Sequence, residues 1–144
     1  PIYLGPEPLG PGLTGEFLYR ATRRRKAAVR DILLNGRILA GVGNIYANEA
    51  LFLAGIRPQR RANVLKLREC AQLALKIRQT LNRAIRAGGT TLRDFQNAEG
   101  RPGYFQQSLN VYGRTGKPCP RCQCPVKMLR LGQRSAFYCA KCQA

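Results

Sequence analysis

Apolar positions in this chain follow two periods. Up to about residue 88 they return every three or four residues, the helical spacing. Near the end they gather into two short runs, 126–131 and 136–138, parted by the polar stretch Gly132-Gln-Arg-Ser135, which reads as a hairpin. The longest stripe is Val64, Leu67, Ala71, Ala74, Ile77, Leu81, Ala84 and Ile85. It predicts a long helix from Asn63, with Lys66, Arg68, Lys76, Arg78 and Arg83 on other faces and Gly88-Gly89 as its stop. Cys70 lies near this stripe and is expected in the core.

Upstream, Thr14 is a candidate N-cap, with Glu16 in the first turn of a helix running through Phe17, Leu18 and Ala21. The run Arg23-Arg-Arg-Lys26 follows, either a solvated helix end or a phosphate contact. Ala28, Val29, Ile32 and Leu33 predict helix over 27–34, ended by Asn35-Gly36. A further helix is predicted over 45–54, with Asn44 in the N-cap position and Gly55-Ile-Arg-Pro58 as the break after it. Residues 1–12 are rich in Pro and Gly and read as a linker, while 96–103 is polar and glycine-bearing, the composition of a mobile loop.

The two glycines before Asn44 add chemistry to this pattern. Gly41 and Gly43 allow close backbone approach to a ligand. The free amides at a helix start bind anions, DNA phosphate among them. An ordinary interhelical turn is the alternative. A dinucleotide site is not indicated, because the third glycine and the βαβ setting are missing.

Cysteine adds more. Cys119-Pro-Arg-Cys122 and Cys139-Ala-Lys-Cys142 flank the predicted hairpin at the spacing of a four-thiolate zinc ribbon. A disulfide pair or a redox motif is the alternative, but two Cys-x2-Cys knuckles at this separation are rarely redox-active. With 25 Lys and Arg against seven Asp and Glu, the formal charge is +18. One zinc on four thiolates lowers that to about +16. Such an excess favours a polyanion through counterion release, with nucleic acid ahead of an acidic membrane surface, since the basic residues are spread along the whole chain. Histidine is absent, which excludes Ser–His and Cys–His nucleophilic sites within the chain. The scattered acids form no recognisable acid/base pair. There is no apolar run long enough to span a membrane and no signal-peptide pattern, and the missing initiator Met suggests a processed chain or a fragment.

Taken together, the motifs resemble the C-terminal half of the formamidopyrimidine-DNA glycosylases, a family shared with endonuclease VIII. The matching stretches are Leu4-Gly-Pro-Glu-Pro-Leu9, Gly41-Val-Gly-Asn-Ile-Tyr46 with Asn48-Glu-Ala-Leu-Phe52, and Gly88-Gly-Thr-Thr-Leu-Arg-Asp-Phe95. Gly103-Tyr-Phe-Gln106, Val111-Tyr-Gly-Arg114 and the cysteine hairpin with its final Cys-Gln continue the match. The resemblance implies a mainly α fold: a linker over 1–12, a helix–two-turn–helix domain over 13–110, and a zinc-bound β-hairpin finger over 111–144. It implies one structural Zn2+ on Cys119, Cys122, Cys139 and Cys142. It implies DNA contacts from Gly41, Gly43, Asn44, Tyr112 and Arg134, and from Arg30, where the family often carries lysine. It also implies a lesion-capping loop at about 96–106 with Arg101, Gly103 and Tyr104, which favours the formamidopyrimidine type over endonuclease VIII.

The family's nucleophile is an N-terminal proline followed by glutamate. Here Pro1 precedes Ile2, so no catalytic residue is carried over. The catalytic domain is expected on a missing N-terminal half, and this chain alone is expected to be inactive. The implied activity of the whole is excision of 8-oxoguanine and formamidopyrimidines followed by strand cleavage, on damaged or abasic double-stranded DNA in the bacterial cytoplasm, by a monomer without membrane contact. The competing reading is a non-enzymatic, ribosome-associated zinc module. Gln123-Cys124 departs from the family's glycine and small polar residue, and Cys124 reads as a bystander thiol.

Overall fold

A computed structural model describes residues 5–88 and 109–144. Four helices and one hairpin follow in chain order: α1 (Gly15–Thr22), α2 (Val29–Leu34), α3 (Asn44–Ala54), α4 (Leu67–Gly88), β1 (Lys127–Leu131) and β2 (Arg134–Tyr138).

Thr14 caps α1 as expected: its Oγ1 accepts the Phe17 N–H at 3.0 Å. Gly15 lies against the backbone of Ala71 on α4, where a Cβ would come within 2.7 Å, so only glycine permits this close crossing. α3 is buried on nearly every side and forms the centre of the molecule. Tyr46, Ala47, Ala50 and Leu51 join Leu73, Ala74, Ile77 and Leu81 of α4 and Leu18 of α1 in the main core. Phe52 turns the other way, into a second core with Val111, Cys119, Val126, Phe137 and Cys139. α3 therefore serves two cores, one helical and one built under the cysteine hairpin. It ends at Gly55, whose left-handed backbone (φ 76°) lets its N–H reach the carbonyls of Leu51 and Phe52.

Several sequence expectations are corrected. The helix cap before α3 is Gly43, and Asn44 is the first helical residue, which frees its side chain to point sideways. The long helix begins at Leu67. Residues 62–64 form a separate 3₁₀ turn, and Val64 and Leu67, both assigned to the apolar stripe, are 53% and 47% exposed. The expected N-terminal linker is tied down over 5–12. The Gly5 N–H donates to Gly36 O at 2.8 Å, the Ala40 N–H donates to Pro6 O at 3.0 Å, and Pro8 is buried. Arg78 adds hydrogen bonds to the carbonyls of Gly10 and Leu13.

The hairpin register pairs Leu131 with Arg134 and Lys127 with Tyr138. This leaves a two-residue turn, Gly132-Gln133, with φ 61° at Gly132, as a type II′ turn requires at its first central position. Arg134 thus opens β2 rather than lying in the turn.

Candidate nucleic-acid interface and metal site

The Gly-rich turn and the hairpin are built as one unit. Gly41 adopts φ 72° and is exposed, and Gly43, in extended backbone, is the last residue before α3, so the helix opens directly from this turn. Asn44 is only 5% exposed. Its Nδ2 donates to Ser135 O at 3.0 Å, and its Oδ1 accepts from Arg30 Nη1 and Asn48 Nδ2, both at 3.0 Å. Asn48, one turn on, accepts the Phe137 N–H at 2.9 Å. Two asparagines of α3 thus satisfy the outer edge of β2, which a two-stranded hairpin would otherwise leave open.

Arg30, expected to touch DNA, is 1% exposed. Its five N–H groups all have acceptors inside the protein. Asp31 Oδ1 takes Nε at 3.0 Å and Nη2 at 2.9 Å. Leu131 O takes Nη2 at 2.8 Å, and Ser135 O shares Nη1 with Asn44 at 3.2 Å. No donor is left for DNA, so the expectation of a direct contact is corrected. Arg134, by contrast, is exposed, and its side chain makes no hydrogen bond or ion pair among the described residues. Arg23, from the basic run, is also spent internally, on the carbonyls of Tyr19, Asn63 and Leu65 and over the Tyr19 ring. Tyr112 is half-buried and packs edge-on against Phe137 at 4.8 Å between centroids. Arg101, Gly103 and Tyr104 lie outside the described residues.

The sulfurs of Cys119, Cys122, Cys139 and Cys142 all lie within 4.8 Å of one another. Cys119 and Cys142 are 3.8 Å apart, and Cys122 and Cys139 are 3.4 Å apart. A tetrahedral Zn2+ at ~2.3 Å from each sulfur sets them ~3.8 Å apart, so the quartet fits one zinc with no open position. Burial opposes ionisation at Cys139, but the N–H groups of Cys142 and Lys141 and the Cys122 and Cys119 thiols outweigh it and bring that thiol down to about 7. Burial and the other three sulfurs push Cys142 up to about 12. Bound zinc supplies the positive charge that makes all four thiolates. Cys124 stands outside the quartet, as expected, with its carbonyl accepting the Cys119 N–H at 2.8 Å. Gln123 occupies the left-handed region at φ 69°, a conformation that suits glycine.

Three further polar residues fasten this module to α3 and to the segment just after it. Glu49, 2% exposed, accepts four N–H groups. Asn110 N (2.7 Å) and Asn110 Nδ2 (3.1 Å) reach Oε1, while Val111 N and Tyr112 N (both 2.9 Å) reach Oε2. Gln143 accepts the Cys139 N–H and donates to Ile56 O, both at 2.8 Å. Arg57 donates to the carbonyls of Gln143 and Ala140. These three residues had no role among the sequence expectations. The signal was present for Asn48-Glu49, a polar pair inside an otherwise apolar helix, since buried polar groups need partners.

A helical domain whose Gly-rich turn is locked to a four-cysteine hairpin defines the helix–two-turn–helix and zinc-finger class. Residues 4–96 match the formamidopyrimidine-DNA glycosylase H2TH domain, and residues 116–144 match the zinc finger found in FPG and IleRS. This chain belongs to the formamidopyrimidine-DNA glycosylase family. It is 55% identical over 140 residues to the formamidopyrimidine-DNA glycosylase of Thioalkalivibrio sulfidiphilus, covering 97% of this chain and 52% of that protein. With the Hahella chejuensis enzyme it shares 52% over 141 residues, 98% of this chain and 52% of that one. Among solved structures, MutM (Fpg) from Thermus thermophilus superposes with a TM-score of 0.83 at 40% identity, covering 97% of this chain and 53% of that one. Lactococcus lactis Fpg in complex with DNA containing an abasic site gives 0.83 at 33%, covering 97% and 51%. The chain spans about half the length of the curated relatives it matches.

Proposed function

We propose that this chain is the DNA-gripping portion of a base-excision enzyme, a DNA glycosylase with AP lyase activity on oxidised purines such as 8-oxoguanine and formamidopyrimidines. The observation that carries it is the shared lock. The turn at 41–44, rich in anion-binding amides, and the hairpin that presents the free Arg134 are bonded to the same arginine, so two phosphate-seeking points are held rigidly together. Gly41 and Gly43 let a DNA backbone approach the α3 amides. The second hydrogen of Asn44 Nδ2, with one already on Ser135 O, donates to the same phosphate. Arg134 contacts a neighbouring phosphate or the minor groove, and Tyr112 supports the hairpin from beneath. Zinc stiffens the hairpin and has no coordination position for a substrate.

The domains proposed are a helix–two-turn–helix unit over 13–110 and a finger over 111–144, with Arg101, Gly103 and Tyr104 assigned to a lesion-capping loop. The catalytic amine belongs to another domain, and the whole acts as a monomer in the bacterial cytoplasm. No helix among the described residues is long and apolar enough to cross a membrane.

The experiment is a comparison of affinities by fluorescence anisotropy for an abasic-analogue duplex, intact duplex and structured RNA. Tightest binding to the abasic duplex is expected. Equal binding to all three would instead favour a passive nucleic-acid binder. Borohydride trapping on an 8-oxoguanine duplex should give no adduct with this chain alone, and a covalent adduct refutes that part of the assignment.

A further inference from the structure

We propose that Arg30 is a positioning residue that fixes the donor face of Asn44, without touching DNA itself. The inference rests on the DNA-gripping reading above.

Arg30 is the largest fully buried side chain in the described structure. A buried guanidinium is a costly choice for mere packing, since it must be desolvated and then matched donor by donor. Here the match is complete, and its acceptors come from three separate places: Asp31 beside it, Asn44 on α3, and the carbonyls of Leu131 and Ser135. Leu131 and Ser135 bracket the Gly132-Gln133 turn and Arg134. The planar fork therefore grips both sides of the hairpin tip while Nη1 holds Asn44.

The bond to Asn44 has a directional consequence. A guanidinium only donates, so the atom of Asn44 that faces it must be the oxygen. With Oδ1 turned inward to Arg30 and Asn48, the amide nitrogen must face Ser135 and the turn. Arg30 thus forbids the flipped amide, in which two sets of N–H groups would oppose each other and an oxygen would face the incoming phosphate. A lysine ammonium also donates, but as a point charge it does not fix a plane, and it cannot set two coplanar N–H groups on Asp31 Oδ1.

The test is a double-mutant cycle on the zinc-loaded chain, with Kd measured for a duplex carrying a tetrahydrofuran abasic analogue and zinc content checked for every variant. Arg30→Met and Asn44→Ala should each weaken binding by about tenfold, and the double variant should lose no more than about twofold beyond the weaker-binding single, because both remove the same contact. A double variant whose loss equals the product of the two overturns the proposal in favour of direct contact or a simple field effect. Arg30→Lys keeps the charge, so a field effect predicts parental affinity. Positioning predicts a loss of about fivefold with zinc still bound, and that loss disappears in the Asn44→Ala background. A lysine variant that binds like the parent overturns the proposal, and this arm decides the matter if Arg30→Met does not retain zinc. Parental affinity in Asn44→Ala alone refutes the phosphate role of Asn44, a distinct failure that takes this inference with it.

Discussion

Glu49→Gln is the sharpest test of how the finger is joined to α3. The substitution is nearly isosteric, so it leaves no cavity. It changes only hydrogen-bond character. Each carboxylate oxygen accepts two N–H groups, Asn110 N and Nδ2 on one, Val111 N and Tyr112 N on the other. An amide keeps one acceptor and turns the other into a donor. Whichever way it is oriented, two N–H groups then face an NH2. Glu49 is 2% exposed, so water does not readily replace the lost acceptor. Leaving a buried donor unsatisfied costs about 1–3 kcal/mol, which gives about 2–6 kcal/mol for two. That is a large share of the ~5–15 kcal/mol typical of a folded domain. Urea unfolding of the zinc-loaded chain, followed by far-UV circular dichroism, measures the loss directly. Helix unfolding and finger detachment are separated by timing zinc release to a chelator. A loss below about 1 kcal/mol would show that the four bonds to Glu49 are not what fixes the finger's entry.

Other substitutions and conditions probe separate parts. Cys139→Ala should abolish stoichiometric zinc and unfold the hairpin, because structural zinc supplies much of such a module's folding energy, and elemental analysis showing one zinc per chain would contradict this. Arg134→Ala should weaken DNA binding and reduce the slope of log K against log salt by about one, and an unchanged slope would mean that this side chain meets no phosphate. At Glu69 burial alone would raise the carboxyl, but Arg60 and the Lys66 N–H hold it below its ordinary 4.5. A lowered folded-state value means the Arg60–Glu69 pair stabilises fully above about pH 4.5 and is lost as pH falls through the lowered value. The pair is partly exposed, so the loss should be about 1 kcal/mol or less, read as a difference between the parent and Glu69→Gln that closes in acid.

Features set by neighbours in sequence were legible from sequence. Thr14 caps α1 because its partner amide is three residues away, and the α4 stripe is a matter of helical period. The cysteine quartet was readable because metal-ligand spacing is a local property with a narrow set of solutions. What was not readable depends on contacts far along the chain. Arg30 was expected at the DNA because nothing nearby in sequence shows that the carbonyls of Leu131 and Ser135 will enclose it. Asn44 looked like a cap for the same reason: the residue type suits that role, and only the distant Ser135 carbonyl explains why the side chain turns elsewhere. The stripe failed at Val64 and Leu67 because apolar residues in phase with a helix carry no information about where the helix begins.

The polar side of α3 also has a consequence for the order of folding. The hairpin reaches α3 across about ninety residues of chain, so it docks after the helices have formed their local contacts. Before it arrives, the surface that waits for it carries Asn44, Asn48 and Glu49. These groups are expensive when buried without partners, yet they are well solvated while water still reaches them. A half-finished molecule therefore shows its neighbours a hydrated docking face, with Phe52 as the main apolar exposure, rather than a bare hydrophobic wall. The same residues that hold the finished joint would keep that face wetted in a chain whose finger has not yet docked.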